Sequence, residues 1–111
     1  MDRTLAYEHR HDVDESDRDH IRQMAEIFGF LGDPTRLALL LELMDGVELC
    51  VGDLASKVDV TDTAVSHALR LLKARNIVRP RRDGNRIYYS LVDEHVRVLV
   101  EATASHLREA H

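Results

Sequence analysis

The fold is decided by residues 51–75, which read VGDLASKVDVTDTAVSHALRLLKAR. Apolar residues recur there at helical spacing twice, over residues 51–57 and over residues 62–75, which predicts two short helices. The intervening residues 58–61 predict a turn. Thr61 suits the N-cap of the second helix because its hydroxyl can accept a backbone N–H of the first turn. Two short helices joined by such a turn form a helix-turn-helix.

A hairpin and a further helix follow this motif. Residues 77–82 and 86–91 have the composition of strands. The sequence Asp-Gly-Asn at 83–85 is a strong hairpin signal, because these residue types tolerate positive φ. A last helix is predicted over residues 93–109. The hairpin stands where a winged helix-turn-helix has its wing.

Two helices are predicted ahead of the motif, after a polar arm. Residues 1–15 are charged and have no stable period, so we expect a flexible N-terminal arm. Ser16 is predicted to cap the first helix, in the manner of a capping box with Asp19. Asp33 and Pro34 are predicted to begin a second, strongly apolar helix as its N-cap and first residue.

These elements predict a fold that is mainly α with a small β-hairpin (α+β), a winged helix-turn-helix over residues 16–111. The chain has 111 residues, which is one small domain. A domain of this size buries only about two thirds of its unfolded surface, so we expect a homodimer. The first and last helices are the expected dimerisation elements.

The basic charge of the chain is concentrated in one region. The net charge is −5, yet residues 66–90 carry seven bases and one acid. Such a local basic stretch favours contact with phosphates whatever the total charge. A single cysteine, an N-terminus without an apolar signal segment and the absence of a run of about 18 apolar residues predict a cytoplasmic protein with no membrane partner.

The second short helix of the motif carries a polar stripe, whose members recur at i, i+3, i+4 and i+7 from Thr63. Short side chains let a helix approach base edges, whereas Arg and Lys reach phosphates. The pattern therefore favours binding to double-stranded DNA. The alternative is a solvated helix face with an arginine-rich hairpin kept for solubility. The candidate DNA-contacting residues are Thr63, Ser66, His67, Arg70, Lys73, Arg82 and Arg86.

The last helix carries two histidines and two acids in a pattern that suits a metal ion. His95 and His106 differ by about 20° around a helix but lie about 16 Å apart along it, so they share a face without binding one ion. Two antiparallel helices would bring Asp93 and His95 of one subunit to His106 and Glu109 of the other. These nitrogen and oxygen ligands suit Zn(II), with Co(II) or Ni(II) also accommodated. The alternative is a chance grouping on a surface helix.

A second candidate metal site involves the only cysteine. Cys50 and Asp53 are three residues apart at the start of a predicted helix, so both could face one ion. The alternative is structural: Cys50 would be a half-buried small apolar residue, and Asp53 a first-turn acid favoured by the helix dipole.

Four stretches of the chain carry a family resemblance: LGDPTRL at 31–37, ELCVGDLA at 48–55, AVSHALRLL at 64–72 and GNRIYYSL at 84–91. Together they resemble the ArsR/SmtB family of winged-helix repressors, over about residues 20–110. Within that family the resemblance is greatest to the zinc-sensing, SmtB-like branch. Ala68 departs from the family pattern, because many relatives have Gln or His at that position.

The resemblance implies a metal-sensing repressor and assigns its ligands. The Asp-x-His and His-x-x-Glu spacing of the last helix is similar to the family's zinc site, which implies those four residues as ligands. Relatives also join the positions of Cys50 and Asp53 to ligands from the other subunit's N-terminal arm, where this chain offers His9 and His11. Gly52 replaces the second cysteine of the arsenic-sensing pattern, so no trivalent arsenic site is expected.

We therefore expect a metal-free dimer to bind an imperfect inverted repeat, with its recognition helices about 34 Å apart, and zinc to release it. One alternative is a regulator of the same family that responds to Ni or Co, or to redox or sulfide chemistry at Cys50. A small zinc hydrolase is disfavoured because four protein ligands leave no open position for water, so we expect no enzyme.

Overall fold

In the computed structural model, residues 14–110 are described and belong to two compact units, one up to Gly32 and one from Asp33 onward. The arm predicted for residues 1–15 lies almost wholly outside the described part. The first unit contains helix α1 (Glu15–Leu31). The second contains, in order, α2 (Pro34–Glu42), a 3₁₀ turn (Met44–Gly46), β1 (Leu49–Cys50), α3 (Val51–Val58), α4 (Asp62–Ala74), β2 (Val78–Asp83), β3 (Arg86–Leu91) and α5 (Glu94–Ala110).

This order confirms the predicted winged helix-turn-helix, mainly α with a small β-sheet. The helix-turn-helix is α3 and α4, and the wing is the β2–β3 hairpin. No helix within residues 14–110 combines the length and the apolar character that a membrane span requires.

Helix α1 begins earlier than the sequence suggested. Asp14 is its N-cap, and the Asp14 side chain accepts a hydrogen bond from the backbone N–H of Asp17 at 2.8 Å. The prediction that Ser16 caps this helix was therefore wrong. The Asp14 carboxylate caps the helix and, being negatively charged, also interacts favourably with the helix dipole. The uncharged Ser16 hydroxyl lacks this second interaction, which favours Asp14 as the cap.

Helix α2 begins as predicted. The Asp33 side chain accepts a hydrogen bond from the backbone N–H of Arg36 at 3.0 Å, and Pro34 occupies the first helical position. The helix ends at Glu42, because Asp45 and Gly46 adopt positive φ of 64° and 74° and turn the chain toward the helix-turn-helix.

The turn between α3 and α4 is tight and well capped. Asp59 adopts the left-handed conformation, with φ of 58°, and ends α3. The Thr61 hydroxyl then accepts a hydrogen bond from the backbone N–H of Ala64 at 3.1 Å, which confirms Thr61 as the N-cap of α4. This cap fixes where α4 starts, and so which of its side chains face outward.

The wing is part of a three-stranded antiparallel sheet in the order β1-β3-β2. β2 and β3 pair up to Asp83 and Arg86, which leaves Gly84 and Asn85 as a two-residue turn. Gly84 has a φ of 66°, as the first central position of a type II′ turn requires. The hairpin is confirmed, but β1 was not predicted, since two residues are too few to show strand alternation.

The helix-turn-helix, α2, the hairpin and α5 share the hydrophobic core of the second unit. Apolar side chains from α2, α3, α4, the hairpin and α5 are all buried within it. The largest fully buried ones are Leu39, Leu40, Leu43, Leu54, Val65, Leu69 and Leu72.

Leu72→Ala should destabilise the protein strongly. Leu72 is fully buried, so truncation removes apolar contacts and leaves a cavity in the core. We expect a loss of about 2–5 kcal/mol in the free energy of unfolding, measured by urea titration. Leu41→Ala is the matched control because Leu41 is 48% exposed, and its effect should stay within about 0.5 kcal/mol. Equal losses for the two variants would contradict this core.

Candidate nucleic-acid interface and metal centre

Helix α4 separates its polar and apolar side chains as the sequence predicted. Its core side carries Val65, Leu69 and Leu72, and Ala68 is buried with them. The departure from the family pattern at Ala68 therefore falls on the core side of the helix. Every candidate DNA-contacting residue of α4 is exposed: Thr63, Ser66, His67, Arg70 and Lys73.

Two members of this stripe contact each other. Arg70 Nη2 lies 2.8 Å from His67 Nδ1, and both side chains are exposed. The pair lies one turn apart on the helix, so the contact holds the two polar groups on the same side.

The wing contributes bases with different partners. Arg82 donates a hydrogen bond to the carbonyl of Gly84 at 3.4 Å, so it folds back over the hairpin turn. Arg86 Nη1 donates to Cys50 Sγ at 3.8 Å, which links the wing to the start of α3. Both guanidinium groups stay exposed and have donors left for a phosphate.

Arg81 has a structural role that the sequence did not reveal. Its Nε donates to both carboxylate oxygens of Glu48, at 3.0 and 3.1 Å, and its guanidinium carbon lies 5.3 Å from the centre of the Tyr88 ring. The hydrogen bond to Arg81 lowers the pKa of Glu48, and the same bond raises the pKa of Arg81. The pair thus joins β2 to the residue just before β1. Only the unpredicted pairing of β1 with β3 brings the two together.

Glu48→Gln should lower the thermal midpoint of unfolding slightly, and the effect should depend on pH. The pKa of Glu48 is lower in the folded than in the unfolded chain, so its stabilisation is present at neutral pH and is lost as the pH falls through the acid range. The midpoint difference from the wild type should shrink below about pH 4. In an Arg81→Ala background the Glu48→Gln effect should vanish at every pH. A difference that persists there would contradict the ion pair.

One open groove lies where α3, α4 and the wing meet. It has a volume of about 530 Å³. The groove is lined by residues of both candidate sites. Ser66 and Arg86 are candidate DNA-contacting residues, and Cys50 belongs to the second candidate metal site. The residues lining the groove are Cys50, Val51, Gly52, Ser66, Asn85, Arg86, Ile87 and Tyr89.

The candidate metal ligands of α5 lie on its exposed side. Val96 and Val100 are buried, whereas His95, His106 and Glu109 are exposed. Asp93 caps the helix, accepting a hydrogen bond from the backbone N–H of Val96 with Oδ1 at 3.1 Å. Its second carboxylate oxygen is not part of that bond. Within residues 14–110 of one protomer, no three His, Cys, Asp or Glu side chains come together to hold a metal ion.

Glu94, which directly precedes His95, pairs with an arginine of the same helix. Glu94 forms a close ion pair with Arg97, and Arg97 Nη1 also lies 3.1 Å from Glu101 Oε1. The hydrogen bond from Arg97 lowers the pKa of Glu94. Glu94 therefore belongs to an ion-pair network on a different side of α5 from the histidine stripe.

At the second candidate metal site, the structure brings two of the four predicted residues together. Cys50 Sγ donates to Asp53 Oδ2 at 3.3 Å, so the two side chains face the same point at the start of α3. Cys50 is half-buried and Asp53 is exposed. His9 and His11 lie outside the described residues.

Comparison with known sequences gives the family. The model of "Bacterial regulatory protein, arsR family" matches residues 33–79. The chain is 48% identical over 92 residues to a transcriptional repressor SmtB homolog of Synechocystis, covering 83% of this chain and 69% of that protein. It is 38% identical over 109 residues to a cadmium resistance transcriptional regulatory protein CadC homolog of Staphylococcus aureus, covering 95% and 90% of the two chains.

Solved structures agree with the observed architecture. NolR from Sinorhizobium fredii superposes with a TM-score of 0.76 at 31% identity, covering 84% of this chain and 92% of that one. A homodimeric winged helix-turn-helix DNA-binding domain, Mb0332 from Mycobacterium bovis, superposes with a TM-score of 0.67 at 29% identity, covering 88% and 93%. The chain thus belongs to the arsR family of bacterial regulatory proteins, as a winged helix-turn-helix transcriptional regulator.

Proposed function

We propose that this protein is a zinc-responsive transcriptional repressor, whose metal-free homodimer binds operator DNA and whose zinc-bound form leaves it. The observation that carries the proposal is the arrangement of α5. Its two histidines and Glu109 are exposed and share one side of the helix, away from the buried Val96 and Val100. A second α5 could complete the ligand set that one protomer leaves incomplete.

Exposed apolar side chains support a dimer formed by the first and last helices. On α5, Leu99 is 38% exposed and stands between His95 and His106 on the same stripe. On α1, four large apolar residues are exposed in a row of helical spacing. A contiguous exposed apolar surface of this kind is typical of a protein–protein interaction site. The exposed residues of α1 are Ile21, Met24, Ile27 and Phe28.

The ligand chemistry favours zinc. Asp93, His95, His106 and Glu109 provide two nitrogens and two carboxylates, which suit Zn(II) in a closed tetrahedral site. Co(II) or Ni(II) would fit the same donors, and cellular supply then decides between them. The cadmium named for the Staphylococcus relative would favour thiolates, and this chain has one cysteine, outside α5.

The DNA-binding half of the proposal rests on α4 and the wing. Five exposed polar residues on α4 face one way, with bases of the hairpin beside them. We infer that each α4 enters a major groove while Arg82 and Arg86 contact the backbone. A twofold dimer would then bind an imperfect inverted repeat with half-sites about 34 Å apart.

Zinc and DNA are proposed to compete through the dimer. Bound zinc would join α5 of one protomer to α5 of its partner, away from the DNA-binding surface, and would favour a dimer in which the two α4 helices fit the operator poorly. The coupling is reciprocal, so operator DNA must weaken zinc binding by the same factor.

Fluorescence anisotropy of a labelled fragment of the protein's own promoter tests this function directly. At fixed salt, the metal-free protein should bind the fragment tightly and zinc should raise the Kd at least about 100-fold, in the upper range of measured allosteric couplings. Unchanged binding in zinc would reject zinc as the signal, and unchanged binding in Co(II) and Ni(II) as well would reject the α5 site.

A second candidate function is sensing at Cys50. The observation that favours it is the contact of Arg86 with Cys50 Sγ, which places the only thiol beside a wing residue of the proposed DNA surface. A metal or an oxidant acting there could alter the wing directly. Cys50→Ser separates the two candidates, because release by zinc survives this change if α5 is the sensor and is lost if Cys50 is.

A further inference from the structure

Arg70 and His67 form a pair of exposed side chains on α4. Arg70 Nη2 and His67 Nδ1 are 2.8 Å apart, a normal hydrogen-bond distance. A guanidinium group has five N–H donors and no acceptor. In this contact Arg70 must therefore donate, and His67 Nδ1 must accept with its lone pair. The nitrogen that faces Arg70 carries no proton.

The proton of the neutral His67 ring must then be on Nε2, since the hydrogen bond at one ring nitrogen sets the state of the other. Nε2 is the ring nitrogen farther from the helix backbone, and His67 is exposed. The side chain thus offers the surroundings a single N–H donor. Its acceptor is already used by Arg70.

We propose that His67 is a base-reading residue, fixed by Arg70 as a hydrogen-bond donor, that selects a base edge bearing an acceptor. This rests on the proposed insertion of α4 into the major groove. There guanine presents the acceptors N7 and O6, adenine N7 and thymine O4, whereas cytosine presents an amino donor. His67 therefore favours guanine, with two acceptors side by side, and disfavours cytosine, whose amino group would meet the imidazole N–H.

Arg70 is a positioning residue in this account. Without it, the His67 ring can move its proton to Nδ1, and Nε2 then becomes an acceptor in part of the population. Arg70 was predicted as a DNA-contacting residue from its place on the stripe. The structure gives it this second role, and its four remaining N–H donors stay available for a phosphate.

The ring state is testable without DNA. Long-range ¹H–¹⁵N spectra of the metal-free full-length protein, at about pH 8.5 where a histidine ring is neutral, report which nitrogen carries the proton. His67→Ala assigns the signal. We expect the Nε2–H form in the wild type and in Lys73→Ala, a control base further along α4, and a mixture in Arg70→Ala. A mixture in the wild type, or a spectrum that Arg70→Ala leaves unchanged, would overturn the assignment.

Base selection is tested on the promoter fragment with each base pair replaced in turn. At one base pair per half-site, the preference of His67→Ala for the native base over the other three should be about tenfold weaker than that of the wild type. At the other base pairs its preference should be unchanged. At the affected pair the wild type should prefer guanine and bind least well to cytosine. His67→Gln should shift the preference at that pair toward adenine, because a glutamine amide offers both a donor and an acceptor and matches adenine N7 and N6.

The outcomes separate this inference from the proposed function. If His67→Ala discriminates every position as the wild type does, or if the wild type prefers cytosine at the affected pair, base reading by His67 is wrong while the repressor function stands. If zinc fails to release the protein, the function is wrong and base reading stands. If the wild type does not bind the promoter at all, both are wrong.

Discussion

Replacing both His95 and His106 with alanine should leave the protein on its operator in zinc that releases the wild type. Each change removes an imidazole from the proposed site, so every site in the dimer loses both nitrogen ligands and keeps only carboxylates. Both histidines are exposed, so the fold and metal-free DNA binding should be unchanged. We expect the zinc-induced rise in Kd, at least about 100-fold in the wild type, to vanish.

The matched control for this pair is His20→Ala, which removes an exposed histidine from α1. Zinc should release that variant as it releases the wild type. If zinc also released the His95, His106 double variant, α5 would not be the sensor. The pair of Cys50 and Asp53, whose side chains lie 3.3 Å apart, would then be the leading site.

Ser66→Glu should abolish specific binding to the operator. Ser66 is exposed on α4 and also lines the groove between α3, α4 and the wing, so a longer, negatively charged side chain there would meet the phosphates and base edges of DNA. Binding should fall to the non-specific level, a loss of about a thousandfold or more. Anisotropy with the promoter fragment and with an unrelated fragment of equal length measures both levels.

Ser16→Glu is the control for the added charge, because it places the same change on α1, outside the recognition helix and the wing. It should bind the operator as the wild type does. Ser66→Glu should keep the thermal stability and the zinc affinity of the wild type, since the proposed zinc ligands are on α5. A Ser66→Glu variant that still distinguished the operator from unrelated DNA would refute α4 as the recognition helix.

Local sequence patterns were sufficient to predict most of the fold. Thr61 and Asp33 cap the helices that they were expected to cap, because capping depends on a side chain and an N–H only three residues away. Gly84 likewise sets the hairpin turn through its own φ. Where two capping residues compete, as Asp14 and Ser16 do, local rules name the candidates but do not choose between them.

The face of each functional helix was also predictable from the sequence. The polar stripe of α4 is exposed, and so are His95 and His106 on α5, because a helix repeats every 3.6 residues. Contacts between distant parts of the chain were not predictable. Arg86 meets Cys50 only because β1 pairs with β3, placing Cys50 opposite Tyr88, and two residues give that register no sequence signal.

The central claim is that one zinc site is shared by two protomers, and a mixed dimer tests it most directly. One protomer carries His95→Ala and its partner carries His106→Ala. In each homodimer of either variant, both sites lack a histidine. In the mixed dimer the intact His95 of one chain faces the intact His106 of the other, so one complete site remains.

The measurement is zinc binding and zinc-dependent release from the promoter by the purified mixed dimer, beside the two homodimers. The account predicts one tightly bound zinc per mixed dimer and restored release, with neither in the homodimers. If the mixed dimer bound zinc no better than the homodimers, or if either homodimer responded to zinc like the wild type, the shared site on α5 would be wrong.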